Sequence, residues 1–176
     1  MDRCPLRFVL VESPAQIEKT AAIASEIWHE CYAELLGVAQ IDYMVDKFQS
    51  VPALTAAIAE DGYEYYLVCL PACQEGEDAG EAIGYIGLQS KDGMLLLSKL
   101  YLLAAHRHRG YTSEVLRFVE ARGRALACRS VWLTVNRQNT QAIAVYNKAG
   151  FANTRQQVAD IGGGYVMDDY IFEKPL

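Results

Sequence analysis

Apolar residues along the chain follow two rhythms, a helical one early and short apolar runs bounded by turn residues later. A strand is predicted at about Leu6–Glu12. Ser13, Pro14 and Gln16 then signal a helix start, with a capping hydroxyl, a first-turn proline and a glutamine placed for a capping box. Ile23, Ile27 and Cys31 recur at helical spacing, so this helix is expected to reach Tyr32 or a little beyond. Further helices are predicted over Asp42–Phe48 and from Ser50-Val51-Pro52 to near Gly62. Tyr65–Leu70 and Ala82–Gln89 read as strands, with Lys91-Asp92-Gly93 as a tight hairpin turn. Met94–Leu103 is apolar nearly throughout, as suits a strand buried on both faces of a central sheet.

A basic, glycine-bearing segment, His106–Gly110, separates that strand from a helix with Val115, Val119, Arg122 and Leu126 along one face. A strand at Val131–Val135, a polar loop and a helix over Thr140–Ala149 follow. Gly150 and Phe151 close that helix, the glycine supplying a left-handed residue and the phenylalanine packing back on the last turn. Strands at about Thr154–Ala159 and Tyr165–Glu173 end the chain around the turn Ile161-Gly162-Gly163-Gly164. Gln74–Glu81 is polar and acidic and is expected to be an exposed hairpin loop. The order gives a mixed α/β domain of the α+β type, a single unit over residues 1–176 with antiparallel hairpins and one strand–loop–helix–strand crossover.

Composition narrows the function. The 176 residues are 52% hydrophobic and 22% charged, which is globular and excludes disorder. A net charge of −6 argues against nucleic-acid or anionic-membrane partners and favours cationic small molecules. Neither a leader nor a membrane span is expected, which points to the cytoplasm. The five cysteines (Cys4, Cys31, Cys69, Cys73, Cys128) are odd in number, and no pair has the two-residue spacing of a zinc or redox motif. They read as small buried hydrophobes. His29, His106 and His108 offer no ligand cluster, so no metal is expected.

The chemistry concentrates in two stretches. In the first, a buried strand feeds a turn that enters a helix, so the amides from Arg107 to Thr112 are expected to face outward at the positive end of the helix dipole. That geometry binds phosphate, and Arg107, His108 and Arg109 add positive charge. Gly110 permits close backbone approach. No Walker loop and no GxGxxG occurs. In the second, Asn139 sits where its side chain caps a helix, and Tyr146 lies two turns on along the same face.

Together these stretches resemble the GNAT superfamily of acyl-CoA N-acyltransferases, closely over about Met94–Phe151 and in element order elsewhere. Arg107-His108-Arg109-Gly110-Tyr111-Thr112 looks like that family's pyrophosphate loop, Gln/Arg-x-x-Gly-x-Gly/Ala. Asn139…Ala142…Tyr146…Gly150-Phe151 looks like its second motif, and the end Gly164–Glu173 resembles the last strand of bacterial members. The resemblance implies a mostly antiparallel central sheet, flanked by helices and splayed between Met94–Leu103 and Val131–Val135, with acetyl-CoA as co-substrate. It implies that the amides near Leu100 and Leu102 pair with the pantetheine arm and those of Arg107, His108, Arg109, Gly110, Tyr111 and Thr112 hold the pyrophosphate. Asn139 would contact the pantetheine, and Tyr146 would protonate the leaving thiolate. The reaction would be direct attack in a ternary complex, and the acceptor a small cationic amine or a peptide amine.

Two departures from the pattern stand out. Thr112 occupies the last glycine or alanine position of the loop. The glutamate that serves as general base in some members is matched by Thr134, or by Ser98 and Lys99. The remaining carboxylate candidates are Asp168 or Asp169 on the last strand and Glu30 or Glu34 on the first helix. Trp28, Tyr32, Tyr43, Met44 and Phe48 form an aromatic-rich set, mostly core by spacing, near which an acceptor pocket is expected. These departures motivate an alternative, a binding module of the same fold that holds acyl-CoA without turnover. A nucleotide-binding regulator is a more distant third reading. The last hairpin is a candidate homodimer edge.

Overall fold

A computed structural model describes residues 5–71 and 80–176; the side chains of Ala33, Glu34 and Leu35 lie outside that description. Cys4, Cys73 and residues 74–79 of the expected hairpin loop also fall outside it. The elements are β1 (Arg7–Leu10), α1 (Pro14–Leu36), α2 (Val38–Gln49), α3 (Val51–Ala59), β2 (Tyr63–Cys69), β3 (Ala82–Lys91) and β4 (Met94–Leu102). A 3-10 turn at Ala104–His106, then α4 (Tyr111–Ala125), β5 (Ser130–Asn136), α5 (Thr140–Lys148), β6 (Ala152–Gly162) and β7 (Tyr165–Pro175) complete the chain. The seven strands lie in the order β1-β2-β3-β4-β5-β7-β6. Helices flank a mixed, mostly antiparallel sheet, as the sequence predicts. No helix of the described residues is long and apolar enough to cross a membrane.

The chain divides into two compact units, Met1–Leu88 with Lys99–Val115, and Gln89–Ser98 with Leu116–Leu176. In the first, α1 starts where predicted. Ser13 Oγ accepts the Gln16 amide at 3.3 Å, and Gln16 Oε1 accepts the Ser13 amide at 2.9 Å. Its apolar stripe, Ile23, Ala24 and Ile27, is buried with Leu54, Leu67 and Tyr85. The helix runs past Tyr32 to Leu36, and α2 begins at Val38, four residues before the predicted Asp42. Gly37 separates them at φ +76°. His29 ties the two helices together: its ring nitrogens lie 2.7 Å from the Ser25 carbonyl and 2.7 Å from the Asp42 carboxylate. The bond to Asp42 and then that to Ser25 raise the His29 pKa.

β4 differs from expectation. Only Leu95, Leu97 and Leu102 are fully buried, and the rest of the strand is half-buried. An apolar run in sequence does not reveal that the cover from neighbouring elements is incomplete.

In the second unit, β5 pairs antiparallel with β7 over its whole length, Ser130↔Pro175 to Asn136↔Asp169. β6 pairs with β7 through two register shifts, and most of its residues are exposed. Gly150 takes φ +88°, and Phe151 packs its ring 5.8 Å from that of Tyr146.

Gly84 marks a close approach between β3 and β4. A Cβ there would overlap the Tyr101 carbonyl oxygen and lie 3.0 Å from Leu102 Cα. Backbone cannot swing away as a flexible side chain can. Gly84→Ala is expected to cost about 1–3 kcal/mol, read as a Tm lowered by several degrees in thermal denaturation.

Candidate active site

The edge of β4 away from β3 follows from strand geometry. The Leu103 amide donates to the Ile83 carbonyl at 2.9 Å. Alternate residues of a strand turn their N–H groups to opposite edges. The Leu102 amide, and that of Leu100 two residues earlier, therefore face away from β3. The Leu102 carbonyl on that edge accepts Arg107 Nε at 2.8 Å.

The basic loop begins with the 3-10 turn, closed by His106 N–H to Leu103 O at 2.9 Å and Arg107 N–H to Ala104 O at 3.1 Å. The Arg107 amide is thus bonded inside the protein and not directed outward as expected, because the tight turn uses it to close its own ring. The Arg107 side chain is engaged as well. Its terminal nitrogens donate to Glu30 Oε1 and Oε2 at 3.2 and 3.1 Å, a bidentate pair. Beyond it, His108 at φ +59° and Gly110 at φ +81° are both left-handed and bracket Arg109, curling the backbone into the start of α4 at Tyr111. A non-glycine residue in that region costs on the order of 1 kcal/mol, and such residues gather at ligand sites. His108 and Arg109 are exposed, Tyr111 and Thr112 half-buried. Arg109 and His108 thus stand exposed at the N-terminal end of α4, the positive end of its dipole. The α4 first turn is itself held down, since the Leu6 amide donates to the Glu114 carboxylate.

The same unit contains a polar chain among buried aromatics. Trp28 Nε1 donates to Tyr85 Oη at 3.0 Å, and Tyr85 Oη donates to Gln49 Oε1 at 3.1 Å. Tyr32 and Tyr101 share a hydroxyl contact of 3.0 Å, and the Tyr85 and Tyr101 rings stack at 5.6 Å. Gln49 Nε2 is buried with no partner among the described residues. Lys99, matched to a base position, has its ammonium lowered to about 8 by burial. Trp28 and Met44 are core as predicted, whereas Tyr32, Tyr43 and Phe48 are half-buried. The sequence reading missed Tyr85 and Gln49. A tyrosine inside an apolar strand run and a glutamine closing an amphipathic helix carry no local mark of a shared hydrogen bond.

The remaining candidate residues lie in the second unit. β4 and β5 pair in parallel only at Met94↔Ser130, Leu95↔Val131 and Leu96↔Trp132. β5 continues to Asn136 against β7, while among the described residues no ladder follows on its other edge. Asn139 Oδ1 accepts the Ala142 amide at 3.1 Å, so it caps α5 as predicted, and the oxygen is committed to that bond. Tyr146 is half-buried, its ring edge-on to Phe151 and 6.5 Å from that of Phe172.

The carboxylate candidates separate. Glu30 is bound to Arg107, and the Glu34 side chain lies outside the described residues. Asp168 accepts Arg137 at 3.0 and 3.3 Å, with that guanidinium 5.3 Å from the Tyr170 ring centre. Asp169 is 8% exposed, and its Oδ1 has no partner among the described residues. Burial first, and the Asp168 charge second, push the Asp169 carboxyl up to about 6. Thr134 is exposed and Ser98 half-buried.

A family model described as the acetyltransferase (GNAT) family matches residues 22–151. An uncharacterized N-acetyltransferase of Mycobacterium tuberculosis is 31% identical over 98 residues, 55% of this chain and 62% of that protein. The matched region thus spans less than two thirds of that relative. Among solved structures, the PaiA N-acetyltransferase of Thermoplasma acidophilum in complex with coenzyme A has a TM-score of 0.75 at 22% identity, over 98% of this chain and 100% of that one. A GCN5-related N-acetyltransferase of Rhodopseudomonas palustris has a TM-score of 0.73 at 15% identity, over 100% of this chain and 99% of that one. At these identities the two structures establish a shared fold.

The raised Asp169 pKa sets a stability prediction. A carboxyl whose folded pKa exceeds its unfolded one binds more protons in the folded state between the two values, so stability falls as pH rises from about 4 to about 6. Asp169→Asn removes that loss. At pH 7.5 the variant is expected to be more stable than the parent, by on the order of 2 kcal/mol, with the gap closing below pH 4 in urea titrations.

Proposed function

Because this chain belongs to the GNAT acetyltransferase family, we propose that it moves an acetyl group from acetyl-CoA to a primary amine by direct attack within a ternary complex. The observation that carries this reading is the parallel ladder of β4 and β5, which stops after Leu96↔Trp132 and leaves strand edge for an extended ligand. The amides of Leu100 and Leu102 pair with the pantetheine arm and one of them polarises the thioester carbonyl. The amides of His108, Arg109, Gly110, Tyr111 and Thr112 cradle the diphosphate, with Arg107 as the strut that holds the loop to Glu30. The Thr112 hydroxyl adds a donor where a smaller residue would offer none. The Asn139 side-chain nitrogen serves the pantetheine, its oxygen being bound to the helix. Tyr146 Oη protonates the departing thiolate. The acceptor is a small cationic amine or a peptide amine, in keeping with a net charge of −6 and the aromatic residues of α1 and α2.

Acetyl-CoA at 100 times its dissociation constant is expected to stabilise the fold by about 2.7 kcal/mol, read as a rise in Tm. Absence of that shift, together with no thiol release from acetyl-CoA across primary amines, would overturn the assignment. A shift without thiol release for any amine would instead favour an acyl-CoA-binding module. Tyr146→Phe is expected to lower kcat by about 10²–10⁴ with the acetyl-CoA dissociation constant unchanged, checked by thiol-release kinetics and calorimetry.

A further inference from the structure

Acetyl transfer to nitrogen needs a lone pair, and an alkyl ammonium has none at neutral pH. A group beside the open strand edge must take the proton. β5 ends at Asn136, four residues past the last β4–β5 pair at Trp132, and the β7 residue opposite Asn136 is Asp169. Side chains alternate along β7, so Asp169 shares a face with Ile171 and opposes Phe172, whose ring lies 6.5 Å from that of Tyr146. The carboxylate and the phenol thus flank the β5–β7 ribbon from opposite faces. A thioester carbonyl held at the strand edge would meet its amine on one side and release its thiolate on the other.

Asp169 also stands apart in its bonding. The carboxylate beside it, Asp168, is matched to Arg137. Asp169 is more than nine-tenths buried, yet Oδ1 finds no donor among the described residues. Buried polar groups are bonded in the great majority of cases, and an unbonded carboxylate is among the costliest to keep. A cationic ligand nitrogen would satisfy it. The groups facing Asp169 leave it titratable: Asp168 and Arg137 form their own pair, β5 presents Asn136 and Thr134, and β6 presents Gln157.

We propose that Asp169 is the general base of this site, receiving the acceptor ammonium and taking one proton from it, directly or through one water, before nitrogen attacks the thioester. The C–N bond forms and the C–S bond breaks. Tyr146 gives its proton to the sulfur and recovers, through solvent, the second proton lost by the nitrogen. Asp169 releases the first proton to solvent. The inference rests on the acetyltransferase reading above and deepens it.

The test uses the full chain with acetyl-CoA and a panel of alkyl monoamines, alkyl diamines and tripeptides with free N-termini. For the fastest of them, kcat/KM is expected to fall below pH about 6, where the base is protonated. Asp169→Asn is expected to lower kcat about 10²–10⁴-fold and abolish that limb, while the acetyl-CoA thermal shift stays as in the parent. Asp169→Glu, which keeps the carboxylate, should restore part of the rate and the limb. A parent profile flat from pH 5 to 7.5, or Asp169→Asn within threefold of the parent, overturns the role of Asp169 and leaves the acetyltransferase reading standing. A parent with no thiol release from any member of the panel overturns both.

Discussion

Three residue pairs, Met94–Leu96 against Ser130–Trp132, are all the parallel hydrogen bonding that β4 and β5 share among the described residues. Backbone amides and carbonyls that leave a ladder must find other partners or face solvent. β5 meets this demand on one edge through β7, to which it is paired down to Asn136. Its other edge is left to water or to an extended ligand. Had the ladder continued, β5 would be paired along both edges.

Around this constraint the protein keeps some polar groups satisfied and leaves others wanting. Arg107, Asn139, Asp168 and Tyr85 are bonded by partners that fix their positions. Asp169 Oδ1 and Gln49 Nε2 are buried without one. Lys99 and Asp169 are both pushed toward neutrality by burial, which places two ionisable groups near the pH range where proton transfer is easiest.

Much of the frame was legible in the chain because its signals are local. Ser13-Pro14-x-Gln16 dictates a helix start through backbone amides that need an acceptor, and Gly150-Phe151 dictates a stop. The loop from Arg107 to Thr112 was legible as a candidate because charge and glycine fall between a strand and a helix. What was not legible depends on distant partners. That Arg107 would spend its guanidinium on Glu30, 77 positions away, follows only from the packing of α1. Four carboxylates looked equivalent as candidate bases, and it took neighbours to separate Asp168 from Asp169. The early start of α2 was hidden because its N-cap is Gly37, which has no side chain to signal a helix start.

Arg107 is anchored three times, through its own amide to Ala104, through Nε to Leu102 and through its terminal nitrogens to Glu30. A segment held so firmly has surrendered its conformational entropy at folding, before any ligand arrives. Association should then resemble docking onto a rigid surface, with little waiting for a rare loop conformer. Differences in affinity among thioesters that share one diphosphate moiety would therefore be written in how slowly each departs.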